Sequence, residues 1–371
     1  MATASSKQIK AFLQHALDYV TELERNDDVD EQTKLEGFQW ITEILSSISE
    51  QFLHADPLHP VFQVYNTPFR RILGDQIDNL ANYVARISSD QTYRVTFTPG
   101  SAPFYSLSVY GGEDEGQFST YIVGRLNNEE MQRQADGSIE IILSKKEHQG
   151  NWIKLEDTTM SICTREYFHE EYDQRSDGRW TIERLGGVVA PPRLEDTALA
   201  EKLRLANLNL KVNTTMAPLP QATGLFTTQT GVNEFAPLKR LTTKLAMGWS
   251  NSDATHATLG YQLEEDEALI IEGDAPPKVD WWGLNQNNEY LQSFNGLTEP
   301  VAITGDSIVR NADGGWRIVL SSGNPGCDNW MSTAGRKHGF LRIRWLNAKG
   351  EPNKPSSRVV KFSELAKELN Q

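Results

Sequence analysis

The sequence predicts a mainly β protein with helical additions: an α+β chain of two tandem β-sandwich or jelly-roll domains behind an N-terminal helix pair. The first observation behind this is self-similarity. Residues 135–152 read ADGSIEIILSKKEHQGNW and residues 312–330 read ADGGWRIVLSSGNPGCDNW. Ala-Asp-Gly, an apolar run ending in Leu-Ser and a closing Asn-Trp recur in one order. The spacing barely drifts, being 177 residues from Ala135 to Ala312, 178 from Trp152 to Trp330 and 179 from Arg165 to Arg344. Upstream, DQTYRVTF from Asp90 aligns with DEALIIE from Asp266. Such a period is too long for a solenoid and indicates a duplicated domain. The second observation lies inside each copy. Short runs such as Phe104-Tyr-Ser-Leu-Ser-Val-Tyr and Leu341-Arg-Ile-Arg-Trp alternate with turn residues, the pattern of an antiparallel sandwich or jelly roll.

The third observation is helical periodicity outside the copies. Phe12, Ala16, Tyr19, Val20 and Leu23 recur at three- and four-residue steps, which predicts an amphipathic helix over Lys7 to Glu24. Leu35, Phe38, Ile41, Leu45 and Ile48 predict a second helix that ends before Asp56-Pro57, because the residue before a proline is pushed out of the helical region. These helices occupy 1–60, and the first sandwich follows over 61–190. After Pro191-Pro192, a stripe of Leu199, Leu203, Ala206 and Leu210 predicts a helix from Thr197 with Asp196 as its N-cap. A loop-like run with Pro218, Pro220, Gly224, Gly231 and Pro237 completes a connector over 191–240. The second sandwich takes 241–371.

Composition limits the function. The chain has 371 residues, 38% of them hydrophobic and 23% charged, which is the globular range. Lys and Arg number 36 against 50 Asp and Glu, and a net charge of −14 opposes binding to nucleic acid or an anionic membrane. No run reaches the ~20 apolar residues of a bilayer helix, and the first residues carry no apolar signal core. Cys163 and Cys327 fit two unbridged thiols in a reducing, cytoplasmic compartment. GxGxxG after a strand, GxxxxGK[ST], HExxH and GxSxG are all absent, which argues against Rossmann dehydrogenases, P-loop enzymes and zincins. The acidic Gly111-Gly112-Glu-Asp-Glu-Gly run suits a turn better than a phosphate cradle. The expected partner is a small-molecule substrate, with no organic cofactor and no metal; a homo-oligomer stays open.

Asn324-Pro-Gly-Cys-Asp-Asn-Trp-Met-Ser-Thr-Ala-Gly-Arg, followed by Gly339 and Arg342-Ile-Arg344-Trp345, resembles domain-of-unknown-function family 1214, often found with its 1254 partner. That family carries a similar D-P-G-x-x-N-W-L-x-T-x-G run and a following R-W. Asp266-Glu-Ala-Leu-Ile-Ile-Glu and Trp281-Trp282 look like its preceding strands, Pro68-Phe69-Arg70 with Gly74-Asp75 and Asp78 like its N-terminal segment, and Leu35-Glu-Gly-Phe like its helix. Gln76-Ile77-Asp78 stands where the family has Asn-Pro-Asp. The resemblance runs from about Glu36 to Leu365 and implies paired jelly rolls; it implies no reaction.

Several residues are candidates for chemistry. Asp75 and Asp78 lie in one polar stretch, where neighbouring carboxylates can split their pKa values and act as acid and base. The same spacing suits a turn whose Asp side chains cap backbone N–H groups; the resemblance adds weight to a ligand-facing role. His169, beside Glu170, Glu171 and Asp173, reads as a general base, as a metal ligand or as an exposed histidine on an acidic loop, the last being the reading preferred over metal. Strand alternation sends Arg165, Tyr167 and His169 to one face. Asn151-Trp152 and Asn329-Trp330 are expected to fix a turn and fill each core, and Arg165 and Arg344 to pair with carboxylates in the two cores. Trp281 and Trp282 point to opposite faces, one into the core and the other a stacking platform for a substrate. His338, beside Arg336 and Lys337, reads as an anion-receiving spot or a solvated turn.

The functional expectation is a cofactor-independent lyase, hydrolase or isomerase acting on a small molecule near the domain join. Asp75, Asp78, His169 and Arg165 would carry acid–base chemistry, and Tyr83, Tyr167, Trp281, Trp282 and His338 would contact the substrate. The alternative is a non-catalytic carbohydrate-binding or assembly protein. A gathering of ionisable side chains in one cleft favours the enzyme, and exposed aromatics with neutral amides favour the alternative.

Overall fold

A computed structural model of the chain describes residues 2–67, 70–72, 80–170, 172–187, 189–191, 193–218, 232–240, 242–244, 248–296 and 298–369. Two helices open it, α1 (Ala4–Arg25) and α2 (Glu31–Ile48), and a π-helical turn, Ser49–His54, prolongs α2 until the chain leaves helical geometry ahead of Asp56-Pro57. The Asp30 side chain accepts from Thr33 N at 3.1 Å and caps α2. Helix α3 (Asp196–Thr215) lies between the halves of the chain, but Asp196 does not cap it. Its N-cap is Glu195, with no side-chain bond, and the Asp196 carboxylate instead accepts from Ala4 N at 2.9 Å and Ser5 N at 3.0 Å. The positive end of α1 competes for this acid and takes it.

The first half contributes β1 (Gln63–Val64), β2 (Leu80–Arg86), β3 (Thr92–Thr98), β4 (Phe104–Gly111), β5 (Tyr121–Asn127), β6 (Ile139–Ser144), β7 (Asn151–Lys154), β8 (Thr159–Tyr167) and β9 (Arg179–Leu185). The second contributes β10 (Lys239–Arg240), β11 (Ala254–Gln262), β12 (Glu267–Gly273), β13 (Trp281–Asn287), β14 (Ala302–Thr304), β15 (Trp316–Ser321), β16 (Trp330–Ser332), β17 (His338–Leu346) and β18 (Ser356–Lys361). A short helix, α4 (Leu365–Leu369), follows. The sheets are ordered β1-β2-β8-β4-β5 and β7-β6-β3-β9 in the first half, β10-β11-β17-β13-β14 and β16-β15-β12-β18 in the second. Adding nine to each strand number converts one pair of sheets into the other, so the duplication covers the whole topology. Even the single parallel pairing recurs, β6 with β7 and β15 with β16.

Each half is a two-sheet sandwich. Tyr105, Leu107 and Val109 of β4 meet Tyr93, Val95 and Phe97 of β3 in the first core, and Leu341, Ile343 and Trp345 of β17 meet Leu269 and Ile271 of β12 in the second. The paired Asn-Trp motifs do not fill these cores. Trp152 and Trp330 are half-buried, and their indole N–H groups bond the serine that ends the neighbouring strand, Ser144 and Ser321. The expectation for the asparagines holds. Asn151 Nδ2 donates to the carbonyls of Gln132 and Glu140, and Asn329 Nδ2 to those of Val309 and Arg317.

The helices cover the outer face of the first five-stranded sheet, where Trp40, Ile44 and Ile48 pack with Val84, Tyr110 and Cys163. The same cluster takes in Tyr290 of the second half, 5.3 Å from Trp40 between ring centroids. Helix α2 is therefore in contact with both halves. Neither cysteine is part of a disulfide among the described residues. Among the described residues no helix is long and apolar enough to cross a membrane.

Candidate functional site between the two five-stranded sheets

Strand alternation decides what each large sheet shows to its outer face. On β8, Ile162 enters the sandwich core, while Cys163, Arg165 and Tyr167 point the other way. Register then builds rows across the sheet: Leu80–Tyr167–Phe104, Asn82–Arg165–Ser106 and Val84–Cys163–Ser108. The second sheet repeats them as Ala254–Leu346–Trp281, His256–Arg344–Gly283 and Thr258–Arg342–Asn285.

The first rows of the two sheets pack together. Leu80, Phe104 and Tyr167 form one buried cluster with Ala254, Trp281 and Leu346, with Tyr167 and Trp281 rings 4.8 Å apart. Trp281 Nε1 donates to the Phe168 carbonyl at 2.7 Å, which fixes the indole across the join. The third row of the first sheet, Val84 and Cys163, is buried under the helices. The middle row, with Arg165, is left as a polar layer between an apolar hinge on one side and the helical wedge on the other. Arg344 occupies the equivalent row of the facing sheet.

Arg165 is 2% exposed. It donates to Tyr110 Oη at 3.0 Å and to the Trp249 carbonyl, and Tyr110 Oη donates onward to the Ser250 carbonyl at 2.7 Å. The Trp249 indole is held edge-on by Tyr65 at 4.4 Å and donates to Ser161 Oγ at 3.2 Å. These bonds lay the segment 249–253 along the row. Its last residue, Asp253, is buried, and one oxygen accepts from Asn127 Nδ2 at 3.1 Å and Arg125 Nε at 3.0 Å. Burial pushes the Asp253 carboxyl above its ordinary range, although Arg125 opposes this.

Five buried polar atoms around this layer have no hydrogen-bond partner among the described residues: Asn82 Oδ1, Ser106 Oγ, Asn251 Nδ2, Ser252 Oγ and Asp253 Oδ2. Buried polar atoms are paired in the great majority of cases, so this concentration marks a place for a bound molecule or ordered water. In the facing sheet, Arg344 donates to Asn285 Oδ1 at 3.3 Å. Burial first, then Arg342, Arg344 and Lys239, hold His256 down to about 3, so its imidazole is neutral at neutral pH.

Asp75 and Asp78 lie outside the described residues. Arg165 and Tyr167 do share a face, but His169 lies past the end of β8, with Nδ1 3.4 Å from Asp306 Oδ2 of the second half. Neither Arg165 nor Arg344 enters a sandwich core, because both fall on outward-facing strand positions. Tyr83 is on the opposite side of β2 from Asn82, packed against the first core, and burial raises its hydroxyl to about 12. Tyr167 is buried in the hinge. Trp281 and Trp282 are both buried, the one in the hinge and the other against Trp316 in the second core, so neither offers an open stacking platform. The sheet outer face that would have exposed Trp281 is covered by the other half.

His338 is not an open anion receptor either. Its Nδ1 lies 2.9 Å from Glu289 Oε1 and its Nε2 2.9 Å from Asp30 Oδ2, beside a cavity of about 350 Å³ that Glu36 and Arg336 also line. The cap of α2 supplies the acid that a ligand would have brought. Glu166 also shifts strongly, up to about 7 through burial, yet its oxygens accept from Gly178 N at 2.9 Å and Trp180 Nε1 at 3.0 Å inside the first sandwich. Its place is structural. His256, Arg342, Asn82, Ser106 and Asp253 escaped the sequence reading. The repeat of Arg165 as Arg344 was the available signal, since register from those two arginines reaches His256, Asn82 and Ser106. Among the described residues no group of three His, Cys, Asp or Glu side chains could hold a metal ion.

The chain is similar over 97% of its length to 98% of an uncharacterized protein from Burkholderia cenocepacia, at 25% identity and a TM-score of 0.87. A protein from Vibrio parahaemolyticus aligns with 87% of this chain and 98% of its own, at 13% identity and a TM-score of 0.49. No curated protein matches the sequence. The family model described as "Protein of unknown function (DUF1214)" matches residues 82–171 and 251–350, one segment in each sandwich. This chain belongs to the DUF1214 family.

Proposed function

We propose that the protein is a small-molecule enzyme whose substrate carries an acidic group and is bound in the polar layer between the two five-stranded sheets. The observation that carries this reading is the placement of Arg165 and Arg344 in equivalent rows of facing sheets, with Arg342 one row further on. Guanidinium groups match carboxylates in charge and planar geometry. A carboxylate bound by these groups offsets the charge of Arg342 and Arg344, which raises the basicity of a neutral imidazole beside them and lets it take a proton from the carbon next to that carboxylate. His256 is that imidazole, and the reaction classes it serves are isomerisation and elimination.

The carbohydrate-binding alternative has less support, because both candidate stacking tryptophans are buried. Two cysteines outside any disulfide, one of them buried, favour a reducing compartment such as the cytoplasm.

The test is solvent exchange. Small carboxylic acids are incubated with the protein in D₂O, and deuterium incorporation next to the carboxylate is followed by NMR. We expect enzyme-dependent exchange for at least one acid, lowered ~10²–10⁴-fold by His256→Gln and accompanied by weaker binding in Arg344→Gln. Exchange unchanged by His256→Gln rejects the base assignment. An absence of exchange and of binding across the acids rejects the enzyme reading.

A further inference from the structure

We propose that the protein has a second binding site, for a small uncharged aromatic molecule with one hydrogen-bond acceptor, in a cavity beneath the helices. The cavity lies between α2, α3 and the strands β2 and β8 of the first sandwich, and its volume is about 50 Å³. That is room for about four water molecules or one six-membered ring. It reaches the surface beside Gln117, the one exposed side chain of its lining. The site is separate from the polar layer and stands whether or not a substrate binds there. Trp249 belongs to both: its carbonyl accepts from Arg165, and its indole packs on Tyr65 and bonds Ser161, which line the cavity.

The chemistry of the walls selects the ligand. The one charged side chain of the lining is Arg86, whose guanidinium is already paired with Glu115 at 2.6 Å and lies 5.0 Å over the Phe52 ring. A charged ligand would lose its hydration with no counter-ion to replace it. The amides are committed as well. Asn209 Nδ2 donates to the Gly116 carbonyl at 3.2 Å, Asn213 Nδ2 to the Asn209 carbonyl at 2.9 Å and Gln51 Nε2 to Ser47 Oγ at 2.7 Å. Among the described residues, no lining side chain has a buried polar atom without a partner. A buried water makes about three hydrogen bonds, so these walls suit an apolar ring better than water. Four rings, Phe52, Tyr65, Phe118 and Trp249, offer faces and edges to a flat partner. Two serine hydroxyls keep a hydrogen to donate, since Ser47 accepts from Gln51 and Ser161 from Trp249 Nε1 at 3.2 Å. Either can serve one acceptor atom on the ring.

The experiment reads the cavity through Met160, which lines it. The full chain is labelled with ¹³C at its methionine methyl groups, and the Met160 signal is assigned with Met160→Leu. Met131 and Met331, buried in the first and second cores, are the references. Phenol and acetophenone carry the ring and the acceptor, toluene lacks the acceptor, benzoate and benzylammonium add a charge, and cyclohexanol replaces the aromatic ring. We expect a saturable shift of the Met160 methyl with phenol or acetophenone and none at Met131 or Met331. Toluene should bind ~5-fold more weakly, the effect of one lost hydrogen bond, and the charged and non-aromatic probes about ten-fold or more weakly. Ser47→Leu, which fills the cavity, should abolish the shift while the reference methyls keep their positions; if that variant fails to fold, the comparison on the wild-type chain still decides. No shift at Met160 with any probe overturns the site. Equal shifts at Met131 also overturn it, because the probes are then dissolving in the cores. Charged rings binding as tightly as phenol overturn the uncharged class, cyclohexanol doing so overturns the aromatic one, and toluene doing so overturns the acceptor.

Discussion

His338 on β17 and Asp30 at the cap of α2 lie 308 positions apart in sequence and 2.9 Å apart in space, and Glu289 holds the other imidazole nitrogen at the same distance. This contact ties the helical layer to the second sandwich. The hydrogen bond to Glu289 raises the His338 pKa, burial opposes it, and the charges of Glu289 and Asp30 add to the rise. Neighbouring charges act on the same spot, with Glu36 and Arg336 bonded at 2.6 Å and Lys337 turned to Glu264 at 2.9 Å.

The first prediction follows from the sign of that shift. A histidine whose folded pKa lies above its ordinary value of about 6.5 stabilises the fold fully below that value and progressively less as pH rises through the folded pKa. His338→Gln should therefore lower the melting temperature more at pH 5.5 than at pH 8.5. A gap between wild type and variant that is the same at both values would mean that the imidazole is not charged in this contact.

Gly37 supplies the second. A Cβ at this position of α2 would stand 2.2 Å from Tyr290 Oη and 2.4 Å from Leu23 Cδ2. Alanine ordinarily gains about 1 kcal/mol over glycine within a helix. The overlap here involves well-packed side chains and costs about 1–3 kcal/mol. Gly37→Ala should be net destabilising in urea unfolding, contrary to its helix propensity. A stabilised variant would show that Tyr290 and Leu23 give way freely.

The duplicated tryptophans make a paired prediction. Trp152 Nε1 lies 3.2 Å from the Ser144 carbonyl and 3.1 Å from its hydroxyl, and Trp330 Nε1 lies 3.3 and 3.1 Å from the same groups of Ser321. Replacing each by phenylalanine removes the donor and keeps most of the ring. Each change should cost about 1 kcal/mol, and the double variant should show the sum, because the sites share no partner. Strongly unequal costs would separate the two halves energetically despite their common geometry.

Asp196 gives the fourth. Its bonds to Ser5, first the hydroxyl and then the amide, and to Ala4 hold the carboxyl down at about 2. An acid depressed in the folded state stabilises above its ordinary pKa of about 3.9, and that contribution fades as pH falls toward the folded value. The melting-temperature gap between wild type and Asp196→Ala should be constant from pH 7 to 5 and narrow at pH 3. A gap that widens in acid would contradict the capping role.

Local periodicity and repetition were legible in the sequence because they are properties of short segments. The heptad-like spacing from Phe12 to Leu23 was enough to find α1, since burial of one helix face depends only on residue spacing. The repeated Leu-Ser and Asn-Trp located the same edge of both sandwiches, since a duplicated chain repeats its register. What could not be read was which outward-facing row would be covered. Trp281 has the sequence of a surface aromatic, and only the docking of one sheet on the other buries it against Tyr167. Asp196 looks like its own helix's cap, and only the arrival of Ala4 and Ser5 shows that it serves another. His256 gave no local signal at all, because it is held neutral first by burial between the sheets and then by arginines of β17 more than eighty residues away in sequence. Sequence fixes which face of a strand a side chain occupies; the energy of packing two whole sandwiches together decides what that face meets.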